Sequence, residues 1–263
     1  MKTLIVIPAR LDSTRLPRKL LLRETGKPMI AHVIDQACMS TGPSDIFVVA
    51  PNEDAPAIWT ASGFSENYSR ERRWPKVFNT ADHPNGTSRA AQAVLFADQV
   101  DDRPDGWWDA YCIVQADEPE IDPKLIDAVV AGLEQHPEWD CATAGVIENG
   151  DDNPNRVWVS FRDWIALDFA RGRKIVDSLA ADRVPGKNLL RHVGIYAYRR
   201  EALLKYAAAG PCQREQEESL EQLRALHIGL KMGVVLWEGE HHGGIDTRED
   251  YDAFVARWKA ANP

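Results

Sequence analysis

Arg10, Ser13, Arg15, Arg18 and Lys19 fall within ten positions of a chain whose formal net charge is −9. Guanidinium and ammonium groups beside a hydroxyl suit a polyphosphate better than a lone carboxylate, because each adds a charge-assisted hydrogen bond. Neither GxxxxGK[ST] nor GxGxxG follows the first apolar run, so such a loop would grip with side chains more than with backbone. A solvated basic loop is the plainer alternative. Gln115-Ala-Asp-Glu-Pro119 supplies carboxylates just past another apolar run. A carboxylate beside a polyphosphate calls for a divalent cation between them, and Mg²⁺ takes one or two carboxylates plus phosphate oxygens. That makes Asp117 a metal-ligand candidate; its structural alternative is a cap on the helix opening near Pro123.

Three further stretches carry polar chemistry. In His241-His-Gly-Gly-Ile-Asp-Thr-Arg-Glu249, Asp246 reads first as a helix N-cap answered by a glutamate three positions on. Gly243 and Gly244 would also let the backbone approach a ligand, which gives Asp246 a second reading as a metal ligand. Adjacent histidines without spaced partners are weak evidence for zinc, so His241 and His242 read as a solvated loop. Asp82-His-Pro-Asn-Gly-Thr-Ser-Arg89 joins a short strand to a helix, with Asn85-Gly86 as a turn and Thr87 as a cap. Arg191 or His192 stands at the mouth of a strand, where a cation would suit an acidic sugar or another carboxylate substrate; a satisfied structural histidine is the commoner case.

These residues need a scaffold that brings loop ends together. Leu4–Ile7, Ile46–Ala50, Tyr111–Gln115 and Cys141–Ile147 are short β-branched runs of the kind buried on both faces of a parallel sheet. Between them, residues 28–40, 53–62, 87–97 and 123–135 carry helix signals, and Lys76–Phe78 is a short strand. This βαβ rhythm predicts a mainly parallel sheet with right-handed crossovers, whose carboxyl edge is the place for an anion site. The middle differs: 156–161 and 164–169 read as a hairpin about Arg162-Asp163, and 193–198 alternates as a third strand. Residues 213–227 read as one acidic helix, followed by strand 234–237 and helix 248–260. The expected organisation is a single domain, 1–263, with a β-rich lobe inserted at about 150–200.

An acidic balance argues against broad nucleic-acid binding. Four separated cysteines, Cys38, Cys112, Cys141 and Cys212, lack metal spacing and suit a reducing compartment. With neither a signal-peptide pattern nor an apolar run near ~20 residues, a cytoplasmic protein without a membrane segment is expected.

Taken together, seven segments resemble the 3-deoxy-manno-octulosonate (Kdo) cytidylyltransferases. They are Ile7-Pro-Ala-Arg…Ser13-Thr-Arg-Leu-Pro…Lys19, Gly26-Lys-Pro-Met-Ile30, Ala81-Asp-His…Gly86-Thr…Arg89, Gln115…Asp117-Glu-Pro119, Leu190-Arg-His-Val-Gly-Ile-Tyr-Ala-Tyr-Arg199, Leu220-Glu-Gln-Leu-Arg224 and Gly244-Ile-Asp-Thr…Glu249-Asp250. The resemblance runs from residue 3 to about 257. It implies a three-layer Rossmann-like nucleotidyltransferase fold whose β-rich lobe serves dimerisation. The implied reaction is transfer of a cytidylyl group from CTP to an acidic ulosonic sugar, with Mg²⁺ as cofactor and a homodimer as assembly.

By that likeness Arg10 and Lys19 hold the triphosphate, with Ser13, Arg15 and Gln115 supporting CTP. Asp82, Gly86, Thr87 and Arg89 line the nucleoside pocket, and Asp117 and Asp246 ligate Mg²⁺. Arg171 stands near the sugar carboxylate, and His192, Tyr196, Glu221 and Gln222 complete the sugar pocket. Four departures stand out. Arg18 and Ala116 replace residues that are usually glycine, and His83-Pro-Asn-Gly-Thr-Ser-Arg89 replaces His-Gln-Ser-Gly-Thr-Glu-Arg. Gly172-Arg-Lys-Ile-Val176 replaces Ala-Thr-Ile-Pro-Trp, which borders the sugar. Another acidic sugar, an amino-Kdo or sialic-type acid, and a binding protein without turnover are the alternatives.

Overall fold

Six consecutive buried residues, Thr3–Pro8, form β1, and residues alternate along it between two apolar layers. In this computed structural model residues 1–43, 45–62, 75–80, 85–97, 104, 106–148, 153–172 and 188–263 are described. Ile5 and Ile7 pack with α1 (Met29–Met39), α2 (Ala55–Ala61), α4 (Pro123–Gln135) and α8 (Arg248–Ala261). Leu4 and Val6 face the opposite layer, built on α3 (Gly86–Ala97), α5 (Arg200–Ala208) and α7 (Gln222–His227). Helices therefore cover both faces of the sheet, which is why its strands read as continuous apolar runs.

The sheet has nine strands: β1, β2 (Asp45–Pro51), β3 (Pro75–Thr80), β4 (Ala110–Ile113), β5 (Cys141–Val146), β6 (Val157–Arg162), β7 (Ile165–Arg171), β8 (Asn188–Arg199) and β9 (Met232–Trp237). Their order is β3-β2-β1-β4-β8-β5-β9-β7-β6. β1, β2, β3 and β4 pair in parallel, as the sequence predicts, and β5 pairs parallel with β9. The sheet as a whole is mixed rather than mainly parallel. Twelve-residue β8 runs antiparallel between β4 and β5, and its first residues also pair with β6.

Other expectations change in detail. The β6–β7 hairpin turns on Asp163-Trp164, both left-handed at φ 51° and 62°, as a two-residue hairpin turn requires. The acidic run 213–227 is not one helix: α6 (Gln213–Glu218) ends where Ser219 turns left-handed at φ 53°, and α7 starts at Gln222. The break lets Glu215 and Arg224 meet as a buried bidentate pair at 2.7 and 2.5 Å. Asp122, not Asp117, caps α4 by accepting from the Lys124 N–H at 2.8 Å. Thr247 with Asp250 forms the capping box of α8, so Asp246 is released from that task as well. Asn85 caps α3 through its side chain on the Ser88 N–H at 2.7 Å, a role the sequence reading gave to Thr87.

Candidate active site

The loop after β1 is pinned from below by Leu11, Leu16 and Leu20, all buried, and by the Leu11 N–H on Asp54 Oδ2 at 2.7 Å. That anchoring leaves Arg10 and Arg15 exposed over a cleft of about 870 Å³. Arg18 precedes a 3-10 turn, Lys19–Leu21, and adopts φ 53°, ψ 31°. A left-handed conformation costs a non-glycine residue ~1 kcal/mol, so Arg18 carries a backbone shape that glycine would adopt more cheaply.

Lys19 is buried inside the turn and spends all three ammonium hydrogens. It donates to Asp117 Oδ2 at 2.7 Å, to Asp246 Oδ1 at 3.1 Å and to the Ile245 carbonyl at 2.6 Å. Arg15 Nη2 holds the second Asp246 oxygen at 2.9 Å. Burial pushes the Asp117 carboxyl above its usual range, and the Lys19 ammonium offsets part of that rise. Two carboxylates from distant segments thus converge on one cationic point at the cleft. Among the described residues no group of three or more His, Cys, Asp or Glu could hold an ion alone. The donor set fits Mg²⁺ in its usual manner, with two carboxylates from the protein and the remaining ligands from phosphate and water.

The far wall comes from β7, β8 and the α6–α7 break. Arg171 donates to three backbone carbonyls: Nε to Glu218 at 3.1 Å, Nη1 to Asn155 at 3.0 Å and Nη2 to Ser219 at 3.1 Å. Two of its five N–H groups remain for a ligand. His192 Nε2 lies 2.9 Å from Thr143 Oγ1, its ring edge-on to Phe169, and burial depresses its pKa to about 3. The Tyr196 hydroxyl donates to Gln222 Oε1 at 3.2 Å, and burial raises the phenol well above its ordinary value. Burial likewise raises the Glu221 carboxyl, against the Thr87 N–H that it accepts at 3.0 Å.

That last bond ties the far wall to the start of α3. Gly86 sits so close to β1 and Gln115 that a Cβ there would lie 3.3 Å from Pro8 Cγ and 3.4 Å from Gln115 Oε1. Gly86, Arg89, Gln115, Asp117, Arg171, His192, Tyr196, Glu221, Gln222 and Asp246 all line the one cleft with Arg10, Ser13, Arg15 and Lys19. Thr87 is fully buried behind it, and Asp82 lies outside the described residues.

The sequence reading missed a second charged group on the same wall. His241 is no solvated loop: Nε2 lies 3.1 Å from Glu118 Oε2, with both side chains under a tenth exposed. Arg191 reaches His241 through Nη1 on Nδ1 at 3.3 Å and Nη2 on its carbonyl at 3.1 Å. Glu148 pairs with both Arg191 and Arg156. The one local signal was Glu118 standing directly after Asp117; its partner lies 123 residues away.

Residues 4–232 match the cytidylyltransferase family model. The chain is 38% identical to a 3-deoxy-manno-octulosonate cytidylyltransferase of Rhodopirellula baltica, over 98% of each chain. It is 37% identical to one from Brucella anthropi, over 96% of this chain and 94% of that one. Among solved structures it is similar to a CMP:2-keto-3-deoxy-manno-octonic acid synthetase complexed with CTP. That likeness has a TM-score of 0.77 and 29% identity, covering 99% of this chain and 100% of the other.

Proposed function

This chain belongs to the 3-deoxy-manno-octulosonate cytidylyltransferase family, and we propose that it activates Kdo with CTP, giving CMP-Kdo and pyrophosphate for lipopolysaccharide biosynthesis. The observation that carries the reading is the convergence of Asp117 and Asp246 on Lys19 at one end of a cleft whose other end holds Arg171. Helices on both faces of the sheet agree with a Rossmann-like nucleotidyltransferase fold.

In the reaction the anomeric hydroxyl oxygen of the sugar attacks the α-phosphorus of CTP. The bond from that phosphorus to the bridging β-phosphate oxygen breaks, and pyrophosphate leaves with the electron pair. Positioning and charge neutralisation dominate such transfers. Arg10 and Arg15 bind the phosphate chain, Lys19 joins them by exchanging one of its carboxylate bonds for a phosphate oxygen, and Ser13 supports their loop. Gly86, Thr87, Arg89 and Gln115 shape the nucleoside side. Arg171 orients the sugar carboxylate through its two remaining N–H groups, while His192, Tyr196, Glu221 and Gln222 present fixed, mostly neutral hydrogen-bonding groups to the hydroxyls. Mg²⁺ held by Asp117 and Asp246 would supply charge neutralisation of the phosphates and acidify the attacking hydroxyl. Pyrophosphate release from CTP and Mg²⁺ with a panel of ulosonic acids tests the reading. Turnover is expected with Kdo; preference for another acid would reassign the sugar, and CTP binding without turnover would leave a binding protein.

The assembly we propose is a homodimer through the β6–β7 lobe, acting in the cytoplasm. Among the described residues no helix is long and apolar enough to cross a membrane. Trp164 and Leu167 are exposed there at 46% and 41%, with Leu189 of β8 at 38%, whereas Trp158 and Phe161 are buried. Sedimentation at micromolar concentration should give twice the chain mass, and a monomer would remove the assembly from the proposal.

A further inference from the structure

Glu118 is an unusual neighbour for a metal-ligand candidate. Its carboxylate is nearly buried, yet among the described residues only one of its oxygens is engaged. Oε2 meets His241 Nε2 at 3.1 Å, while Oε1 makes no hydrogen bond among the described residues. Oε1 lies 3.7 Å from where a Cβ on Gly194 would sit. Gly194 stands between His192 and Tyr196 on the sugar wall, and all four residues line the cleft. A Cβ there would sit in ordinary van der Waals contact with that oxygen, and glycine leaves the space in front of it to the cleft.

The surrounding charges fix what that oxygen can take. Arg191 can only donate hydrogen bonds, so the His241 Nδ1 it approaches must be the unprotonated nitrogen, and Nε2–H then donates to Glu118. Arg191 also holds the His241 backbone, and Glu148 braces Arg191 against Arg156. Two arginines thus face two glutamates, and the group is balanced without a further cation. An open, balanced carboxylate oxygen in a polar cleft calls for a neutral donor, that is, a hydroxyl. It would also repel a substrate carboxylate and leave that group to Arg171.

We propose that Glu118 is a specificity-determining residue that accepts a hydrogen bond from a hydroxyl of the acidic sugar, and that His241 is the positioning residue that aims it. The assignment rests on the cytidylyltransferase reading above and adds to it the residue that reads a sugar hydroxyl. Arg191 acts one step further back, by holding His241.

Steady-state kinetics on the full chain test it, with CTP, Mg²⁺ and whichever ulosonic acid the wild type turns over. Glu118→Ala and His241→Ala are each expected to raise KM for the sugar about 10-fold, the size of one hydrogen bond to a charged group. KM for CTP should stay within about 2-fold, because the phosphate side does not use this pair. The double variant should be little worse than Glu118→Ala alone, since His241 works through Glu118. His241→Gln, whose amide can donate from nearly the same place, should recover most of the loss. Additive effects, an equal change in both KM values, or an unchanged sugar KM in either single variant would overturn the proposal with the family reading intact. A wild type that turns over no ulosonic acid would overturn both.

Discussion

The two ends of the cleft solve opposite electrostatic problems. At one end Lys19 and Arg15 neutralise Asp117 and Asp246, so the charges are many, close and exchangeable. A phosphate chain and a divalent cation can enter by rearranging pairs that already exist. At the other end burial keeps His192 neutral and the Tyr196 phenol protonated, and Arg171 is fastened to three carbonyls before any ligand arrives. The phosphate end works by trading counter-charges; the sugar end works by holding shape.

The largest expected effect tests the first half of that contrast. Asp117→Asn keeps the size of the side chain and removes its charge, so kcat should fall roughly 10³-fold with the fold intact. Near-normal turnover, read by pyrophosphate release, would mean that the phosphate end does not depend on this carboxylate. Acid tests the second half. His192 and His32 have folded pKa values of about 3 and about 4, both lowered mainly by burial. Below the ordinary imidazole value near pH 6.5 the unfolded chain binds protons that the folded chain refuses. Stability is therefore present above that pH and is lost as pH falls toward 4. Melting experiments between pH 7.5 and 5.5 should show a loss of about 3 kcal/mol for the two imidazoles. Constant stability would show that both rings accept protons in place, and for His192, the one of the two that lines the cleft, the rigid-wall description would fail. The smallest effect is the most selective. Arg171→Lys loses the planar fork, so KM for the sugar should rise about 10-fold while KM for CTP holds. Equal changes in both would merge the two ends into one.

The same division governs how much could be read from the amino-acid order. Arg10, Ser13, Arg15 and Lys19 share one loop, and the strand before it is a plain apolar run, so both loop and sheet edge were legible. β1, β2 and β4 were legible for the same reason: burial on both faces leaves a local signature. β8 was only half legible, because alternation shows a strand but not that it enters the middle of the sheet. The break at Ser219 was hidden, since no helix-breaking residue marks it and the Glu215–Arg224 pair that accompanies it is seen only in the folded chain. Resemblance supplied Arg171, Glu221 and Gln222, and the structure brings them to the cleft with Asp117 and Asp246. His241 was misread because adjacent histidines in a glycine-rich stretch look solvated until the partner is seen. Arg18 was visible as a departure, but its left-handed backbone was not.

The position of β8 also bears on the order in which the chain assembles. β1 to β4 are all made by residue 113, and their pairings are with one another except for the β4 edge that β8 will cover. β5 has neither neighbour until β8 and β9 exist, because one of its edges belongs to residues 191–198 and the other to residues 232–237. Pairings of such sequence separation carry a high closure entropy and form slowly. A nascent chain would thus expose an unpaired β4 edge for as long as synthesis takes to reach Arg199. Pulse-labelled hydrogen exchange during refolding should find the β1–β2 amides protected before those of β5, with β8 closing the gap last.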